Sequence, residues 1–371
     1  MEIRSTPLLN GSVGTSRELI SFHFGAPGKQ KIYIQAALHA DETPTMLVAL
    51  HLKRRLIALE AQGAINAEIV VVPVANPIGL DQTVLGQFIG RFDLETGQNF
   101  NRNFPALDLS RASGRLGADP QENLRIVRSA VREELAELKA NSELDSLQVH
   151  LLQLSVDADL VLDLHCSLEA CMHLYANAEQ WAQVEPLSRY IGAEASLLAT
   201  DSGGASFDET HSLFWWRLRQ SAGSAAGATP IADGCVAVTI ECRGQRDVSD
   251  ELARRDAEAI IDYLTWRGAI TGEPKPLPPL LAPATPLNGS EQFVAPVGGV
   301  LVHRAQVGAR IEQGDAVFDI VDPLTDRTTT IHSHTCGVFY MRRAIRFVRA
   351  GQPIGRVSGS VPIRTGKLIG L

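Results

Sequence analysis

The chain has 371 residues, 45% of them hydrophobic and 20% charged, with a formal net charge of −8. That length is too great for one ordinary core and predicts two domains, and the composition is that of a globular chain. The acidic balance, with no basic stripe, argues against nucleic-acid binding, no apolar run reaches the roughly 18 residues of a membrane span, and the opening MEIRSTPLLNGSVGTSRELI lacks the apolar core of a signal peptide. The five cysteines (Cys166, Cys171, Cys235, Cys242 and Cys336) include no CxxC pair. They argue against a disulfide scaffold or a cysteine zinc site and predict a reducing, cytoplasmic setting.

Short apolar runs alternate with helical patterns along the first part of the chain. IYIQAAL (32–38), EIVVVPV (68–74), DLVLDL (159–164) and VAVTIE (236–241) read as buried strands. Helices are predicted over 43–62, 119–140 (opened by an Asp-Pro cap signal) and 249–270. The alternation implies an α/β domain over 1–270, with a mostly parallel or mixed sheet flanked by helices. Residues 271–290 are Pro-rich and aperiodic, and read as a stiff linker. From 291 to 371, short strands and glycine turns predict a small all-β domain. Its APVGGV…VGARIEQGD stretch resembles the barrel-sandwich of biotinyl and lipoyl carrier domains. The region corresponding to their acceptor hairpin (320–333) has no Lys, so a structural module is expected rather than a swinging arm. Exposed strand edges leave assembly into a homo-oligomer open.

Three chemically capable residues fall at strand ends: His39 just after the first strand, His165 at the end of the third and Glu241 at the end of the fourth. Open α/β sheets bind ligands beyond the carboxyl ends of their strands. Catalytic zinc typically takes three His or carboxylate ligands plus a water, and His39, Glu42 and His165 suit that set. Asp163 points the same way as His165 on a strand, so it could orient the imidazole. The alternatives are a helix first-turn acid at Glu42 and a buried polar residue bonded to loop backbone at Asp163. In GQNFNRNFP (97–105), Asn101 and Arg102 could grip a substrate carboxylate, or hold a loop by a structural ion pair. Arg91 could stabilise a developing oxyanion or form a surface salt bridge. Glu241 could act as general base beside a metal-bound water, or pair with Arg243 or Arg246. His332 and His334 alternate on a β segment, where exposed histidines are the commoner case.

Taken in order, LHADE (38–42), VANPIGLDQ (74–82), NFNRNFP (99–105), LDLHCS (162–167) and TIECRG (239–244) resemble the succinylglutamate desuccinylase/aspartoacylase family, related to zinc carboxypeptidases. The resemblance implies a carboxypeptidase-like α/β fold with a trailing β domain and one zinc per chain on His39, Glu42 and His165. It implies a substrate carboxylate on Asn101 and Arg102, a scissile carbonyl polarised by Arg91, and water activated by Glu241. The activity implied is hydrolysis of the amide of a small N-acyl amino acid or related amine. A peptide-cleaving carboxypeptidase, an esterase or N-acetyl-diamino-acid hydrolase of the same family, and a non-catalytic binding protein are the competing readings. The chain departs from the family's HGDE by carrying Ala40. The acyl pocket is expected in the poorly patterned stretch 176–234, with 201–220 lining it and Trp215 and Trp216 acting as core or lid aromatics. Tyr340 is a candidate contribution from the C-terminal part.

Overall fold

The computed structural model describes residues 1–368 apart from 113 and 224–229, so part of the 176–234 stretch lies outside the described residues. Its first part is built on β1 (Glu2–Pro7), β2 (Glu18–Phe24), β3 (Lys31–Ala36), α1 (Pro44–Ala61) and β4 (Glu68–Val72). Then follow α2 (Pro120–Glu137), α3 (Glu143–Ser155), β5 (Leu160–Ser167), β6 (Met172–Ala176), α4 (Trp181–Ile191) and β7 (Ala195–Leu198). The layer is completed by α5 (Phe207–Gly223), β8 (Val236–Gly244), α6 (Asp250–Trp266) and β9 (Thr285–Pro286). One nine-stranded sheet runs β1-β2-β4-β3-β5-β8-β6-β7-β9. Its centre, β4-β3-β5-β8, is parallel, while β1, β2 and β4 pair antiparallel and β6 runs antiparallel to β8. The sheet is therefore mixed.

The strand alternation sorts the core into two layers. Ile32, Ile34, Leu160, Leu162, Leu164, Val236, Val238 and Ile240 point to one face, where α1, α4 and α6 bury their apolar stripes. Tyr33, Val161 and Ala237 point to the other, covered by α2, α3 and α5. Side chains two apart share a face, so Gln35, Asp163, His165, Thr239 and Glu241 continue that second face toward the carboxyl ends of the strands. The helix signals in the sequence are realised in their caps: the Asp119 carboxylate accepts from the Gln121 amide at 2.8 Å, and the Ser249 hydroxyl from the Leu252 amide at 3.3 Å. Two expectations are corrected. His165 and Glu241 lie within strands rather than ending them, because β5 runs on to Ser167 and β8 continues through a bulge to Gly244. The first strand instead stops short at Ala36, because Ala37 takes a left-handed φ of 57° and turns the chain.

The C-terminal part is strand-rich: β10 (Glu291–Val294), β11 (Gly299–His303), β12 (Ala316–Asp322), β13 (Arg327–His332), β14 (Gly337–Arg342) and β15 (Pro353–Val357). One sheet contains β10-β15-β14 and the other β13-β12-β11. They enclose a core of Phe293, Phe318, Phe339, Ile320, Ile354 and Val357. The chain reaches it through 271–290, whose end supplies β9 to the edge of the main sheet, parallel to β7. A short strand at Glu169–Ala170 pairs with β14, and Glu169 takes Arg342 and Arg346 at 2.7 and 2.8 Å, so the two parts are joined directly. Among the described residues no helix is long and apolar enough to cross a membrane.

Phe318 packs its ring edge-on against Phe293 and Phe339 at centroid distances of 5.3 and 5.5 Å. Phe318→Ala is expected to cost about 3–5 kcal/mol, read as a lowered midpoint in urea unfolding.

Candidate metal centre and active-site cavity

The site is assembled on the turn after β3. Residues 38–42 are held from below by Asn76, whose Nδ2 donates to the Leu38 carbonyl at 2.9 Å and whose Oδ1 accepts from the Gly79 amide at 2.8 Å. From above, the Ala40 amide donates to the Gly90 carbonyl at 2.9 Å. Both crossing points require glycine: a Cβ on Gly90 would lie 2.2 Å from the Asp41 nitrogen, and one on Gly79 would lie 2.9 Å from the Ala40 Cβ. The Ala40 methyl is thus accommodated where Gly79 leaves space. The turn delivers His39 and Glu42 to the sheet end, and the Gly90 crossing delivers Arg91 beside them.

Glu42 is almost fully buried, and both of its oxygens are saturated. Oε1 meets His39 Nδ1 at 2.9 Å and Arg91 Nη2 at 2.5 Å. Oε2 meets His165 Nδ1 at 2.9 Å and the Cys166 amide at 2.9 Å. Burial alone would raise its pKa, but the facing His39 and His165 imidazoles and the Arg91 guanidinium hold it well below the ordinary value. It is therefore a carboxylate, not a helix cap; α1 begins after Thr43.

Each imidazole turns Nδ1 to Glu42 and its other nitrogen to a fixed polar group. His39 Nε2 lies 2.8 Å from Asn99 Oδ1, and His165 Nε2 lies 2.9 Å from Asp163 Oδ2. Asp163 is itself held by Gln35 Nε2 at 2.9 Å, and the Gln35 Oε1 by the Tyr33 hydroxyl at 2.8 Å. Burial pushes His39 down to about 4, reinforced by Arg91. Burial also works against a charge on His165, yet Asp163 and Glu42 hold it well above the ordinary value. His165 thus sits where two carboxylates favour positive charge. One ligand atom from each of His39, Glu42 and His165 falls within 4.8 Å of the others, all three residues buried. Two neutralisable imidazoles and one carboxylate, with outer nitrogens already anchored, form a donor set that fits a zinc-like cation.

These residues line a cavity of about 630 Å³ that also takes in Arg91, Asn101, Arg102 and Glu241. Glu241 is level with His165 in the parallel β8–β5 pair. Burial raises its pKa to about 7, the Glu42 charge adding to the rise. Its Oε2 has no hydrogen-bond partner among the described residues. The ion pair with Arg243 does not form, because Arg243 turns at φ 65° and binds Asp256. Asn101 accepts from the Phe207 amide at 2.7 Å and sets its Nδ2 3.3 Å from His165 Nε2. Arg102 donates to the Asn101 carbonyl at 2.6 Å, and its own carbonyl accepts from Gln148 at 2.9 Å.

A model of the succinylglutamate desuccinylase/aspartoacylase catalytic domain matches residues 28–267. The chain belongs to this family. A search of the curated proteins found no match. Among solved structures, a succinylglutamate desuccinylase/aspartoacylase family protein from Shewanella amazonensis is similar at 25% identity and TM-score 0.84, over 96% of this chain and 98% of that one. The succinylglutamate desuccinylase/aspartoacylase of Rhodobacter sphaeroides shares the fold at 15% identity and TM-score 0.66, over 97% and 96% of the two chains. So does the ectoine utilization protein EutE (DoeB) of Ruegeria pomeroyi, solved with product bound, at 14% identity and TM-score 0.68 over 96% and 95%.

The 201–220 segment lines the cavity as its sequence led us to expect, and two arginines that carried no sequence signal complete it. Ser202, Ser206, Asp208, Glu209 and Ser212 line it from the 201–220 segment, and Arg343 and Arg356 from the C-terminal strand-rich part. Trp215 is in the core, while Trp216 reaches Glu179 at 2.7 Å. Tyr340 stands behind the wall: its hydroxyl meets Ser290 at 2.8 Å and its ring packs on His173, while Tyr175 takes the lining position. His334 binds Glu291 at 2.7 Å, and no metal cluster includes it among the described residues.

Asp163→Asn removes a charge that anchors His165 while leaving every proposed ligand in place. Zinc affinity is expected to fall roughly 10–100-fold, measured by competition with a chromophoric chelator. Gly90→Ala forces backbone atoms of the Ala40–Asp41 turn apart, and a comparable or larger loss of zinc is expected in the same assay.

Proposed function

We propose that the protein is a zinc-dependent hydrolase that cleaves the amide of a small N-acyl amino acid or related N-acyl amine. It holds one zinc per chain on His39, Glu42 and His165. The observation that carries this reading is Glu241: a carboxylate raised to about 7, with an unpartnered oxygen, facing the same cavity as the His-Glu-His cluster. A group with that value can both take and return a proton near neutral pH.

Zinc bound there would act as Lewis acid toward the scissile carbonyl and lower the pKa of a water ligand. Glu241 takes a proton as the water oxygen bonds to the carbonyl carbon. It returns that proton to the nitrogen as the carbon–nitrogen bond breaks, yielding a carboxylic acid and an amine. Arg91 lies against Glu42 at the rim of the cluster and supports negative charge developing on the carbonyl oxygen. Asn101 fixes the position of the Arg102 loop, and Arg102 receives the substrate carboxylate. The wall that the β domain adds to the cavity favours a compact substrate over an extended peptide. The five free thiols suit a cytoplasmic setting.

Protein purified without chelator should carry about one zinc per chain by elemental analysis, and His39→Ala almost none. Full zinc in that variant would reject the site. Glu241→Gln should keep its zinc and lose roughly 10²–10⁴-fold in kcat on an N-acyl amino acid; undiminished turnover would remove Glu241 from the mechanism.

A further inference from the structure

Away from the metal centre the cavity meets two adjacent carboxylates, Asp208 and Glu209, in the first turn of α5. Acids suit a helix start, but these two are buried, each only 8% exposed. Asp208 accepts from the Ser206 hydroxyl at 2.6 Å, and Glu209 Oε1 from the Ser202 amide at 2.5 Å. The other Glu209 oxygen, Oε2, and the hydroxyl of Ser202, itself 4% exposed, have no hydrogen-bond partner among the described residues. Both residues line the cavity.

The pair is short of positive charge. Burial raises the pKa of Asp208, and burial followed by the Asp208 charge raises Glu209 to about 7. Both acids act on Arg102, but one guanidinium offsets one carboxylate, and Arg102 is the group that receives the substrate carboxylate in the reading above. The neighbouring acid Asp201 is treated otherwise: it is exposed and takes Arg217 at 3.2 Å. Enclosing a carboxylate without a counter-charge is costly. An ammonium brings three donors and no acceptor, which is the complement of a wall of open acceptors.

The floor that leads to the pair is mostly apolar. Thr239, two residues before Glu241, is level with Tyr175 of β6, and Tyr175 is level with Leu197 of β7. All three line the cavity, as does Ala199. With neighbouring strands about 4.8 Å apart, this row runs about 10 Å outward from β8. Ser202 comes just after β7 and its amide holds Glu209, so the acids stand across this floor from Glu241. Methylenes of a flexible chain can lie on such a surface while the charged end reaches its partners.

We propose that Asp208 and Glu209 form a cation subsite that holds a primary ammonium at the end of the substrate's aliphatic side chain, while the carboxylate of the same amino acid lies on Arg102. The inference rests on the cavity being the deacylase site proposed above, and it names the substrate class: N-acyl derivatives of basic amino acids with a flexible side chain. The Ser202 hydroxyl supplies a further acceptor for the ammonium.

The test is calorimetric binding of L-lysine and of L-norleucine to the zinc-loaded protein, at mildly alkaline pH where Glu209 is ionised. The two ligands share a straight aliphatic stem and differ in its terminal ammonium. The wild type is expected to bind lysine roughly tenfold or more tighter than norleucine. Glu209→Gln, which keeps an acceptor for the Ser202 amide, should reduce that preference to less than about threefold. Asp208→Asn should do the same, and so serves if Glu209→Gln fails to fold. Glu251→Gln, an exposed acid on α6 at the opposite face of the sheet, should leave the preference intact. No preference in the wild type, a preference that survives in a folded Glu209→Gln or Asp208→Asn, or an equal loss in Glu251→Gln overturns the proposal. Binding does not depend on turnover: preference for lysine without hydrolysis of any N-acyl amino acid would overturn the deacylase reading alone, and hydrolysis without preference would overturn the subsite alone.

Discussion

The Glu42 carboxylate is the point on which the site turns. It gathers donors from three separated segments: His39 on its own turn, Arg91 on the loop that crosses that turn, and His165 with the Cys166 amide on β5. An anion buried this completely is tolerable only when several positive or polar groups converge on it. Those groups are spaced across the sequence, so their convergence obliges the Asn76 and Gly90 contacts to hold the turn in one conformation. Fold and site are coupled through a single carboxylate.

The sheet explains why the other functional side chains arrive at the same place. Gln35, Asp163 and Thr239 are level with one another across three parallel strands, and Glu241 is level with His165. Strand periodicity then puts all five on the face away from α1, α4 and α6. The loop carrying Asn99 to Arg102, the start of α5 and the C-terminal strands face it at the strand ends, and the cavity is what remains between them.

Much of this was legible in the sequence because it depends on local pattern. The buried strands, the cap of α2, and the placing of His39, His165 and Glu241 near strand ends follow from apolar runs and turn residues. Other parts were not legible. Asn99 sits in a quoted motif but looks no different from Asn101 until its Oδ1 is seen 2.8 Å from His39. Tyr33 and Gln35 break an apolar strand at spacing two, a signal for a buried polar chain that could have been read. Arg343 and Arg356 had no signal, because only tertiary packing brings them to the cavity. The strand ends also misled by a few residues: β5 and β8 continue past their apolar runs because neighbouring strands supply backbone partners there.

The short strand β9 has a bearing on how such a chain can evolve. It is drawn from the connecting segment, yet it seals the outer edge of the main sheet beside β7, and Leu287, Val338 and Tyr340 then share an apolar cluster with Cys171, Ala195 and Leu197. A cut at the apparent boundary would leave a hydrogen-bonding edge and an oily seam bare, the surface that invites edge-to-edge aggregation. The C-terminal strand-rich part is therefore not a detachable accessory. Recombination that exchanged it for another module would have to replace a strand of the neighbouring sheet at the same time, so the two halves are constrained to be inherited together.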